Sequence, residues 1–200
     1  MTKIIILGSA NAVSDRDHEN THMVVVGNKR VVLIDTPGRP IQRLDGAGVD
    51  HNDLTDLVLT HFHPDHVSGV ALLLMDMWLL GRQSPLMIYG LKHTLDRMKN
   101  LMRAFSWERW PDFFHVTFNE LPSRKMTPVF SSSDFNIYAS PVQHLIPTIG
   151  LRIEFPAEKK VVAYSCDTAP SDTVVQLAKD ADILIHEASG EFLGHSSSAQ

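Results

Sequence analysis

His61-Phe62-His63-Pro64-Asp65-His66 constrains this chain more than any other stretch, because it sets four polar, ligand-type side chains directly after the apolar run Leu57 to Thr60. Such a cluster cannot continue into a core, since burying three imidazoles and a carboxylate without partners would cost on the order of several kcal/mol. The segment therefore belongs at a strand end, facing solvent or a cavity. Alternate positions His61, His63 and Asp65 can point to one side of an extended turn while His66 begins to wind away, a spacing that suits two cations roughly 3.5 Å apart. Eleven histidines in 200 residues agree with a metal-binding role.

The rest of the chain supplies a scaffold for that turn. Apolar runs broken by turn residues predict strands at Lys3 to Leu7, Met23 to Val26, Arg30 to Ile34 and Leu57 to Thr60, with Gly27-Asn28 as a hairpin turn. Apolar residues spaced by three and four predict a helix from Val67 to Leu80, closed by Gly81. A strand at Leu86 to Tyr89 is followed by a second helix with Leu91, Leu95, Met98, Met102 and Phe105 on one face. The last third predicts strands at Val129 to Phe130, Phe135 to Ala139, Ile149 to Phe155 and Val161 to Ser165. A helix from Ser171 to Lys179, capped by Ser171, and a strand at Ile183 to Ile185 follow. Strands followed by a helix, once in each half, predict an α/β fold: an αββα sandwich of two mainly antiparallel or mixed sheets with helices outside. With no linker, repeat or low-complexity tract, residues 1–200 are expected to form a single domain.

A formal charge of −5 excludes a uniformly basic surface that grips nucleic acid by charge alone. One cysteine, Cys166, cannot form an internal disulfide, which points to the cytoplasm. The longest apolar run, Val70 to Met75, stops at Asp76, so neither a membrane span nor a signal peptide is expected. Lys92, Arg97, Lys99 and Arg103 form a solvated helix face, while Trp107, Trp110, Phe113 and Phe114 suit satellite core or a homodimer contact. His51, His93 and His115 are expected as surface or core histidines.

Thr60 to Gly69, THFHPDHVSG, resembles the first ligand loop of the metallo-β-lactamase superfamily, whose signature is His-x-His-x-Asp-His after a strand. Asp35 in Leu-Ile-Asp-Thr-Pro-Gly is similar to the family aspartate that orients the ligand loop. His144 in Pro-Val-Gln-His-Leu-Ile-Pro and Asp167 in Tyr-Ser-Cys-Asp-Thr match the family's third histidine and bridging aspartate. Leu7-Gly8-Ser9, Tyr164 to Thr168, His186-Glu187-Ala188 and Gly194-His195-Ser196 are together similar to the ribonuclease Z group. The resemblance implies that His61, His63 and His144 hold one metal, Asp65 and His66 a second, and that Asp167 bridges them. Two divalent ions are implied; zinc suits these donors, and Mn or Fe would also be accepted. Glu187 is expected to support the site from behind the ligands. His195 is expected near the scissile phosphate, with His22 and Ser196 at the substrate and His18 near the mouth of the site.

Two departures narrow the expected substrate. The interval from His144 to Asp167 is too short for the arm with which ribonuclease Z grips tRNA, and no histidine follows His195, so the expected domain lacks the family's last ligand segment. The expected function is metal-dependent hydrolysis of a small phosphodiester or an RNA-like substrate by activated water, with Asp65 as base and His195 as acid. Hydrolysis of a carboxylic ester, lactone or thioester is the alternative on the same scaffold, and a non-catalytic metal-binding protein is the other.

Overall fold

The computed structural model describes residues 2–190 and 192–198. They form two compact units that divide after residue 120, each built on its own sheet.

In the first unit the strands are β1 (Lys3–Gly8), β2 (His22–Val26), β3 (Val31–Ile34), β4 (Asp56–Val58), β5 (Leu86–Leu91) and β6 (Val116–Leu121), arranged in that order across one sheet. β1, β2 and β3 pair antiparallel, with Gly27 N–H donating to the Arg30 carbonyl at 2.8 Å across the β2–β3 turn. β3, β4 and β5 pair in parallel, and every residue of β3 and β4 is buried, as expected of central parallel strands covered on both faces. The helices are α1 (Pro40–Gly46), the single turn α2 (Pro64–Val67), α3 (Val70–Leu79) and α4 (Lys92–Ala104). α1 and α2 both start with proline, whose fixed φ suits the first helical position. α4 buries Thr94, Leu95, Met98 and Met102, and the last three join Leu33, Leu57, Leu73 and Met77 in the core.

The helix expected from Val67 to Leu80 starts three residues later, as α3, and α2 is a separate turn that shares only Val67 with the expected span. Gly69 N–H donates to the Thr36 carbonyl at 2.8 Å, and a Cβ at Gly69 would stand 2.7 Å from both the Thr36 and Pro37 carbonyl oxygens. The chain therefore leaves α2, touches the segment after β3, and restarts as α3. β6 and α1 were not expected; Pro40 hid the start of α1, and the aromatic run before Val116 masked the alternation of β6.

In the second unit β7 (Thr127–Ser131), β8 (Asn136–Val142), β9 (Thr148–Phe155), β10 (Lys160–Tyr164) and β11 (Ile183–Ile185) form a sheet ordered β11-β10-β9-β8-β7. Its pairings are antiparallel except β10 with β11, which is parallel because α5 (Asp172–Leu177) crosses between them. Ser171 caps α5 by accepting from Val174 N–H at 3.3 Å, and Arg152 closes its other end by donating to the Leu177 and Lys179 carbonyls at 3.0 and 2.7 Å. Among the described residues no helix is long and apolar enough to cross a membrane.

Candidate metal centre

The ligand candidates divide between the two units: His61, His63, Asp65 and His66 in the first, His144 and Asp167 in the second.

In the first unit, β3 ends at Ile34 and Asp35 turns into the left-handed region at φ 57, a conformation aspartate tolerates better than most residues. Its N–H donates to the Val58 carbonyl at 2.9 Å, fastening the end of β3 to the end of β4. The Asp35 carboxylate, wholly buried, accepts from Thr60 N–H at 2.8 Å and from the Thr60 hydroxyl at 2.6 Å, and lies 2.7 Å from His66 Nδ1. Those three partners are what makes a buried carboxylate affordable there. They also fix the imidazole: with Nδ1–H donating to Asp35, the His66 lone pair stands on Nε2, 3.7 Å from an Asp65 oxygen.

His61, wholly buried, is held on one side by the Thr60 hydroxyl, 3.1 Å from its Nδ1, and presents Nε2 3.0 Å from His63 Nδ1. The His61 ring lies 4.7 Å from that of His63 and 4.1 Å from that of His66, centre to centre. Three imidazoles are thus gathered at one turn, with the Asp65 carboxylate beside His66. Pro64 starts α2 immediately after His63, so the turn winds at the point where His66 must leave the extended row of His61 and His63.

In the second unit, His144 follows β8 and Asp167 follows β10. Gln143 and the segment after Asp167 are tied together: Gln143 N–H donates to the Thr168 hydroxyl at 3.2 Å and Ala169 N–H to the Gln143 carbonyl at 2.7 Å. His144 Nδ1 lies 2.8 Å from the Gly194 carbonyl, which places its proton there and the lone pair on Nε2. His195 Nδ1 lies 3.0 Å from both Glu187 carboxylate oxygens, and Glu187 also accepts from Thr168 N–H at 2.6 Å. Ligand-type atoms of His144, Asp167 and His195 fall within 4.8 Å of one another, and the His144 and His195 rings meet edge to face at 4.9 Å. Imidazole and carboxylate donors, with ring protons already committed to a carboxylate or a carbonyl, form the donor set a divalent ion such as zinc takes.

Ser196 and His22, both expected at the substrate, are both buried. Ser196 is wholly buried and donates its hydroxyl to the Thr168 carbonyl at 2.7 Å, anchoring the Gly194–His195 turn. His22 is 1% exposed, with Nδ1 2.8 Å from the Asn20 carbonyl and Nε2 buried without a hydrogen-bond partner; burial pushes its imidazole below the ordinary histidine value. Both side chains hydrogen-bond to backbone carbonyls. His186 sits on the Ser165 hydroxyl at 2.7 Å, and Cys166 is buried at φ 56. Sequence reasoning passed over Thr60, Thr168 and the Gly194 carbonyl. The first two adjoin predicted ligands and carry a hydroxyl, which was the available signal; a carbonyl carries none.

The family model described as anti-Pycsar protein Apyc1 matches residues 2–198. Among curated proteins, ribonuclease Z of Mycobacterium bovis is 28% identical over 197 residues, covering 93% of this chain and 70% of that protein. Ribonuclease Z of Pyrococcus abyssi is 24% identical over 235 residues, covering 94% and 75%. The structure of the short form of human tRNase Z superposes with a TM-score of 0.82 at 22% identity, covering 100% of this chain and 85% of that one. YhfI of Bacillus subtilis, a metallo-β-lactamase fold protein, superposes with a TM-score of 0.80 at 19% identity, covering 98% and 77%. The two mixed sheets with their helices are the metallo-β-lactamase fold.

Proposed function

We propose, from the premise that this chain belongs to the family of the anti-Pycsar protein Apyc1, that it is a metal-dependent phosphodiesterase of the ribonuclease Z type acting on small phosphodiesters. His61, His63 and His144 would hold one divalent ion, Asp65 and His66 a second, with Asp167 shared; zinc is the expected metal, Mn or Fe the substitutes. Ions held there supply Lewis acidity, which acidifies water and offsets charge gained by the phosphoryl oxygens. Asp65 takes the proton of the attacking water as its oxygen bonds to phosphorus, and His195 gives a proton to the departing oxygen as the old P–O bond breaks.

The observation that carries this reading is the Glu187–His195 pair. A carboxylate holding Nδ1 on both oxygens at 3.0 Å turns Nε2 toward a reacting group, which a merely structural histidine does not need. Small substrates are favoured over long RNA because the interval from His144 to Asp167 is filled by β9, β10 and their turns, which leaves no chain for a substrate-gripping arm. The net charge of −5 agrees.

We also take the protein to be cytoplasmic, from its one cysteine, and homodimeric. Leu72 and Phe105, 43% and 53% exposed beside a cavity of about 700 Å³ lined by Phe62, Met75 and Trp110, support the dimer; sedimentation equilibrium tests it.

The deciding assay compares a nitrophenyl phosphodiester, a cyclic nucleotide, a lactone and a precursor tRNA, with added Zn or Mn, at low and moderate salt. Turnover of the small diesters with poor tRNA cleavage, lost on chelation, is expected. Efficient tRNA cleavage at moderate salt overturns the substrate size. Lactone turnover without diester turnover makes the protein a carboxylic ester hydrolase, and metal binding without any turnover makes it a non-catalytic binder.

A further inference from the structure

The connection from β1 to β2, residues 9–21, opens at the same end of the first sheet as Asp35 and the His61–His66 turn. β2 is antiparallel to both β1 and β3, and β3 is parallel to β4, so the end of β1, the start of β2 and the ends of β3 and β4 share one edge. The base of this loop is pinned. Ala10 N–H donates to the Glu19 carbonyl at 2.8 Å, and Thr21 donates to the Ala10 carbonyl from both N–H and hydroxyl, at 3.1 and 2.9 Å. Glu19 accepts from Arg43 Nε and from Arg39 N–H, at 3.2 Å for the latter, which locks the loop onto the segment that follows Asp35. Gly38 is needed there: its φ is 57 and a Cβ would stand 1.8 Å from Glu19 Oε1.

At the tip, Asp15 Oδ1 accepts from the N–H groups of Asp17 and His18, both at 2.8 Å, and both Asp15 carboxylate oxygens lie 3.0 Å from His18 Nδ1. The carboxylate thus fixes the ring through one edge, and Nε2 lies on the other edge of a side chain that is 61% exposed. A pinned base carrying a carboxylate-oriented imidazole, at the sheet end where the ligand turn stands, has the construction of a ligand-contacting group.

Resting on the phosphodiesterase reading, we propose that His18 binds the substrate phosphate, donating Nε2–H to a non-bridging oxygen, with Asp15 as its positioning residue. The charged groups that act on the ring are Asp15 and Asp17, and Arg16 between them keeps the turn from becoming an anionic patch. The hydrogen bond to Asp15 raises the His18 pKa, so the imidazolium persists to higher pH than an ordinary histidine and the contact weakens as pH climbs through that raised value.

Steady-state kinetics on a small phosphodiester test this with the metal-loaded protein. His18→Ala should raise KM about tenfold with kcat little changed, the loss of one charge-assisted hydrogen bond, and His18→Gln should recover part of it. Asp15→Asn should move the alkaline rise of KM to lower pH, a change that a purely structural turn would not produce. Unchanged KM and pH profile in these variants, while the wild type turns over the diester, overturns the proposal. If the wild type turns over no diester, the phosphodiesterase reading fails by itself, and titration with dimethyl phosphate decides the binding. A displaced His18 ring resonance upholds the phosphate contact, and an unmoved one refutes it.

Discussion

Asp35 and His66 meet across the first sheet end at 2.7 Å, carboxylate to Nδ1, although 31 positions separate them in the chain. That contact makes the ligand turn a product of the sheet: β3 delivers the carboxylate, β4 delivers Thr60, and the histidine is oriented only when both are in place.

Asp35→Asn should therefore weaken metal binding more than it unfolds the protein. The amide can still accept from Thr60 but cannot fix His66 with a charged acceptor. A loss of metal affinity of roughly 10–100-fold is expected. Calorimetric titration of chelator-stripped protein with zinc measures it, and an unchanged affinity would detach Asp35 from the site.

Asp65→Ala should lower kcat on the order of 10² or more while leaving the melting temperature of the apoprotein nearly unchanged. The side chain is 17% exposed in a turn and packs into no core. A variant with half the wild-type kcat would remove Asp65 from the chemistry.

Arg82 governs stability rather than activity. It is 2% exposed, and its guanidinium donates to the carbonyls of His51, Asn52, Leu54, Ser84 and Pro85 while lying over the Phe114 ring at 5.4 Å. Arg82→Ala strips five carbonyls of a shared donor and should cost about 3 kcal/mol. Urea denaturation reads this as a lower midpoint at unchanged slope, and a midpoint equal to wild type would refute the clamp.

His22 gives the fold a pH dependence. Burial holds its folded pKa below the unfolded value of 6.5, so as pH falls below 6.5 the unfolded chain takes the proton first and stability drops toward the lower, folded pKa. Above 6.5 both states are neutral and this contribution is complete. Urea midpoints of wild type and His22→Phe, compared on either side of that value, should diverge on the acid side, and parallel curves would show that His22 takes up its proton equally in the folded and unfolded chain.

Local patterns in the sequence reported the parts of this molecule that depend on near neighbours. The β2–β3 hairpin follows from Gly27-Asn28 between valine runs, and the cap of α5 from Ser171. Asp35 and the candidate ligand positions were singled out by their motifs. Features set by distant contacts left no such mark. The break between α2 and α3 exists because two carbonyls from the segment after β3 press against Gly69, and nothing near Gly69 in sequence announces them. The bond from the Ser196 hydroxyl to the Thr168 carbonyl joins residues 28 positions apart, and the Gly194-His195-Ser196 motif does not announce it. The burial of His22 in β2 likewise depends on how the strand packs, which its neighbours in sequence do not show.

The left-handed backbone of Asp35 has an evolutionary cost in the laboratory. Glycine would relieve roughly 1 kcal/mol of strain at φ 57. That relief is outweighed, because deleting the carboxylate would strand the Thr60 N–H and the His66 ring in a buried place at roughly 1–3 kcal/mol for each group left without a partner. Selection for heat resistance and selection for metal content therefore hold aspartate at this position together.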